Sequence, residues 1–115
     1  LLDRNRKDTA YRAFEEARQH AEADQRAAPR ARWGLAVLLA EEERLEDAVR
    51  HAVAAFVLGN DPVYTPRAMV LAVQLMARQQ KTQQAKETWA ELEKRFPLSA
   101  EKNRQDPVIR ELLEP

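Results

Sequence analysis

The sequence predicts an all-α fold in which antiparallel helix-turn-helix units stack side by side as a right-handed α-solenoid. Three observations lead there. Only two glycines occur in 115 residues, while 44% of the residues are hydrophobic and 33% charged, a mixture that suits amphipathic helices and leaves little for hairpin turns. Apolar residues recur at spacings of three and four, the period of one helix face. The chain also repeats itself. Pro29-Arg30-Ala31 returns 37 residues later as Pro66-Arg67-Ala68, and the same offset pairs Leu38 with Leu75, Ala40 with Ala77 and Ala48 with Ala85.

Taken in order, residues 1–28 read as a partial unit, 29–65 and 66–97 as full units, and 98–115 as a C-terminal capping segment, all within one domain. The first unit contributes Ala10, Phe14 and Ala17, spaced four and then three. The same spacing marks Ala48, Ala52 and Ala55, and again Ala85, Trp89 and Leu92. Alanine where a core helix could carry leucine implies that a neighbouring helix lies too close for anything larger. Pro29 to about Glu43 is apolar nearly all round, through Trp33, Leu35, Val37 and Leu39, which marks a helix covered on several sides. Pro66 to about Gln80 repeats it, with proline placed where its missing N–H costs nothing and Thr65 as the expected cap. The partner helices, about Glu46–Leu58 and Thr82–Phe96, are one-sided, and Glu46/Arg50 and Glu91/Arg95 are expected surface pairs. Turns near 42–45 and 79–82 are too short for anything but antiparallel neighbours. The longer breaks fall at Ala23–Ala28 and Gly59–Thr65, so Tyr64 is expected in a loop at the surface. Asp106-Pro107 opens a final short helix carrying Val108, Ile109, Leu112 and Leu113, a lid for the last unit.

Composition narrows the function. Lys plus Arg equals Asp plus Glu at 19 each, so no overall field favours nucleic acid or an acidic membrane surface. No apolar run approaches a bilayer span, so no membrane insertion is expected within this segment. The lack of cysteine removes thiolate chemistry but leaves the compartment undetermined. The chain begins Leu-Leu-Asp and reads as a piece of a longer protein. His20 and His51 have no partner at metal-ligand spacing, and neighbours within Glu15-Glu16 or Glu41-Glu42-Glu43 point in different directions on a helix. Neither set converges on a reaction centre, and two glycines cannot build a phosphate loop. No catalytic residue, cofactor or metal ligand is predicted.

The two copies of an antiparallel pair with small residues at the contact positions resemble the tetratricopeptide repeat over about residues 1–97, with Pro97 closing the last unit as that pattern commonly does. The departures are a repeat of 37 or 38 residues, Arg32 at the family's tryptophan position with Trp33 one place along, and Ala36 and Val73 in place of its glycine. The resemblance implies a concave face lined by the first helices of successive units. Residues facing it would be Arg30, Trp33, Val37 and Glu41 from one unit and Arg67, Val70, Gln74 and Arg78 from the next. Three arginines on that wall would suit a carboxylate or an acidic peptide. The asparagines with which some co-chaperone members hold a peptide C-terminus are absent. Trp33 is read either as core filler or as a binding residue, and Trp89 as core. The expected role is a non-catalytic scaffold that binds a protein or peptide partner. The alternatives are self-association into a homo-oligomer, or a regulatory helical domain attached to an enzyme or an envelope-assembly protein.

Overall fold

The computed structural model describes residues 9–16 and 28–114, and within these the chain is helical without strands. Residues 9–16 are helical (α1). The chain then runs through α2 (Ala28–Glu41), α3 (Leu45–Val57), α4 (Tyr64–Arg78), α5 (Thr82–Arg95), α6 (Pro97–Asn103) and α7 (Pro107–Leu113). Each helix from α2 to α5 packs on the next, α2 also touches α4, and α6 and α7 close against α4 and α5. Leu1, Leu2, Ala17 and His20, which figure in the sequence reading, lie outside the described residues.

The turn after α2 and the turn after α4 are the same structure 37 residues apart. Glu43 and Gln80 take left-handed backbone, with φ of 60° and 61°. Around Glu43, the N–H of Arg44 donates to Leu39 O (2.9 Å) and that of Glu43 to Ala40 O (3.0 Å). Around Gln80, Lys81 N–H donates to Met76 O (2.9 Å) and Gln80 N–H to Ala77 O (3.0 Å). Both are Schellman closures, which satisfy the last carbonyls of one helix and reverse the chain at once. Arg44 O and Lys81 O then accept from Ala48 and Ala85, opening the following helix in the same register. The repeat seen in side chains is therefore carried by the backbone too. A non-glycine residue at this φ is strained. Gln80→Gly is expected to raise the unfolding free energy by about 0.5–1 kcal/mol in denaturant titration. Glu43→Gly gains less, because Glu43 also accepts a 2.9 Å ion pair from Arg78.

Asp61 decides where α4 begins. Its Oδ1 accepts from the N–H groups of Val63 and Tyr64 (2.8 Å each), and its own N–H donates to Thr65 Oγ1 (2.7 Å). This reciprocal cap starts the helix at Tyr64, two residues before the proline expected to open it, and so takes Tyr64 out of the loop. Thr65 is fully buried, and its hydroxyl serves the upstream Asp61 amide instead of a free amide of the helix itself. Asp106 caps α7 as its Asp-Pro pair predicts, accepting from Val108 N–H (3.0 Å) and Ile109 N–H (3.2 Å). The tail holds one helix more than expected, α6, entered with Pro97 at its first position.

Nine of the twenty buried apolar residues among those described are alanine, and these small residues let helices approach closely. Ala48, Ala52 and Ala55 are buried as expected, as are Ala85, Trp89 and Leu92. One core runs from Ala36 of α2 through Ala52, Met69, Val73 and Trp89 to Ile109 and Leu112 of α7. A satellite of Leu39, Ala48 and Leu75 is joined by Tyr11 of α1. Two approaches leave no room for a side chain: a Cβ on Gly34 would overlap the Phe14 ring, and one on Gly59 would overlap Pro29. On the surface, the expected Glu46/Arg50 pair gives way to Asp47, which Arg44 and Arg50 both engage. Their hydrogen bonds hold the Asp47 carboxyl below its ordinary range. Any stability this adds is present above the unfolded carboxylate pKa and is lost as pH falls through the depressed folded value.

Candidate functional site

An open groove of about 530 Å³ lies where α2, α4 and α6 meet. Five residues predicted from the sequence line it: Trp33, Val37, Arg67, Val70 and Gln74. Their convergence follows from helix spacing. Trp33 and Val37 are four apart on α2, and Arg67, Val70 and Gln74 follow spacings of three and four on α4, so contact between α2 and α4 brings two stripes together.

Two of the lining residues, Trp33 and Arg67, also belong to a cluster of rings and guanidinium groups with Tyr64 and Arg30, which do not themselves line the groove. The rings of Trp33 and Tyr64 are 5.5 Å apart and tilted by 50°. Arg67 lies over both, 5.5 Å from the Trp33 ring and 5.3 Å from the Tyr64 ring. Arg30 lies 5.8 Å from Tyr64. Cation–π attraction of this kind is worth about 0.5–1 kcal/mol at exposed sites, and it also limits the rotamers of a long side chain. Trp33 is half-buried, neither a core filler like Trp89 nor a fully presented surface ring. Val70 is buried in the floor, with Val37 and Leu71 beside it.

The other predicted residues stand apart. Arg78 donates to both Glu43 oxygens, at 2.9 and 3.3 Å, and so ties the end of α4 to the turn after α2. Glu41, exposed at the end of α2, does not line the groove. Gln74 Nε2 donates to Asp106 Oδ2 (3.1 Å), which couples the groove wall to the cap of α7.

Several residues of the groove and of the ring cluster beside it were not foreseen. Ser99, Lys102 and Asn103 of α6 form a wall, at positions i, i+3 and i+4 of one helix face, a pattern hidden when the tail is taken as a single late helix. Tyr64 lies three residues before Arg67 and seven before Leu71 on one face of α4. That signal becomes readable only once the helix start moves from Pro66 to Tyr64. Among the described residues, no group of three or more His, Cys, Asp or Glu side chains could hold a metal ion. No helix among them is long and apolar enough to cross a membrane. Comparison with protein families, curated proteins and solved structures finds no match to this chain.

Proposed function

We propose that the chain is a non-catalytic protein-interaction module, a right-handed stack of tetratricopeptide-like helix pairs that binds a protein or peptide through the groove between α2 and α4. Two observations favour the stacked-repeat reading: the turns centred on Glu43 and Gln80 share one hydrogen-bond pattern, and the first helices of the two units touch each other. The single observation that carries the binding reading is the convergence of Trp33, Val37, Arg67, Val70 and Gln74 on one groove. Apolar floor, aromatic rim and polar wall are the composition of a recognition site, and an aromatic with a neighbouring arginine is the typical anchor of one.

The test uses partners captured with the protein. Trp33→Ala is expected to weaken their binding about 30-fold or more, the loss of a 2 kcal/mol anchor, while cooperative thermal melting is retained. Unchanged affinity in a folded Trp33→Ala chain would remove the groove as the binding surface.

The second reading, self-association or docking on the parent chain, is favoured by a different observation. Leu98, Val57, Leu58 and Val63 are 81%, 65%, 64% and 48% exposed, and all belong to the segments that follow α3 and α5 or to the ends of adjoining helices. Exposed apolar side chains gathered in this way favour association. A mass that rises with concentration in sedimentation would support this reading, and a constant monomer mass would dismiss self-association.

A further inference from the structure

We infer that the groove selects an acidic segment of a partner protein, with a carboxylate held by Arg67 and Arg30 at the Trp33–Tyr64 pair and an adjoining apolar side chain on Val37, Val70 and Leu71. This rests on the groove being the interaction surface. The argument is one of charge placement. The chain carries as many acidic as basic residues, 19 of each, so a stretch of surface lacking carboxylates is not a result of composition. Yet the groove lining contains Arg67 and Lys102 and neither Asp nor Glu.

Five arginines elsewhere are paired within the fold, Arg44 and Arg50 with Asp47, Arg78 with Glu43, Arg104 with Glu93 and Arg110 with Glu114, while Arg95, over the Phe96 ring, donates to Phe56 O. Arg30 and Arg67 are different. Both are exposed, both rest on aromatic rings, and neither has a carboxylate partner among the described residues. Stacking leaves the guanidinium N–H groups available while restraining the side chain, so the fork is ordered before a ligand arrives. The natural complement is a carboxylate, which takes two parallel N–H donors from one guanidinium.

The size of the site argues for a short peptide over a nucleic acid. A groove of about 530 Å³ is of small-ligand size, whereas nucleic-acid binding draws its affinity from a run of phosphate contacts that two arginines and a lysine do not provide. The apolar floor has no use for a phosphodiester, and it fits an aliphatic side chain next to the acid. Tyr64 acts as a positioning residue, since it underlies both guanidiniums.

The experiment selects binders to the 115-residue chain from a random peptide display library. The recovered peptides are then measured by fluorescence anisotropy beside synthetic counterparts with every Asp and Glu replaced by Asn and Gln. Acid next to an aliphatic residue is expected among the binders, with the amide counterpart at least about tenfold weaker. Arg67→Gln is expected to erase the difference between acid and amide peptides, and Arg67→Lys to restore only part of it. Melting of each variant should match the parent, because Arg67 is exposed.

Acid and amide peptides binding equally well, with binding still lost in Trp33→Ala, would overturn the acidic-ligand inference and leave the groove reading standing. Absence of any binder that depends on Trp33 would overturn both. Tighter binding of a mixed-sequence single-stranded RNA than of the selected peptides, reversed by Arg67→Gln, would also overturn the inference in favour of phosphate recognition.

Discussion

Trp89→Ala is expected to cost about 3–5 kcal/mol of unfolding free energy, the range for deleting a large buried aromatic. Trp89 is 2% exposed and belongs to the continuous core that joins α2 to α7, the cluster that also holds Met69, Leu92 and Ile109, so its removal vacates buried volume. Packed helices collapse only partly into such a space, and the cavity adds to the lost transfer energy. For a domain of this size the loss lowers Tm by more than about 10 °C, measured by circular dichroism. Trp33→Ala should fall well short of this, because that ring is half-buried at the groove rim. A Trp89→Ala chain melting within a few degrees of the parent would show that the α5 stripe is not part of the core.

The second large effect is of opposite sign in volume. Ala52→Leu is expected to destabilise by about 1–3 kcal/mol, since the added carbons have no space and must push helices apart or adopt poor rotamers. Ala52 is fully buried and shares its cluster with Ala36 and Ala72, small residues on the two flanking helices. Ala90→Leu is the control. Ala90 is exposed on α5, and the same change there should stay within about 0.5 kcal/mol. Equal, small effects at both positions in denaturant titration would mean that close approach does not fix the alanine at Ala52.

Asp61 shows how local chemistry can be legible and still be misread. Proline at position 66 is a sound signal for a helix start, yet an aspartate five residues earlier supplies two side-chain hydrogen bonds and draws the start back to Tyr64. That shift turns an apparent surface tyrosine into the ring beneath two arginines. Arg78 shows the reverse. Its register on α4 suggests the same wall as Arg67, but the left-handed turn at Glu43 brings a carboxylate within 2.9 Å and occupies it.

The sequence by itself determined what depends on neighbours along the chain: helical content, the short turns between paired helices, the Asp-Pro start of α7, and a 37-residue repeat whose alanines mark the contact faces. Helix period, capping and turn chemistry act over a few residues, so they are written where they act. Tertiary structure alone decided which stripes meet. It set α6 against the groove as an added wall and laid Arg67 over two rings drawn from different helices. Those outcomes depend on helix rotation and separation, which are fixed by the whole packed core and not by any local stretch.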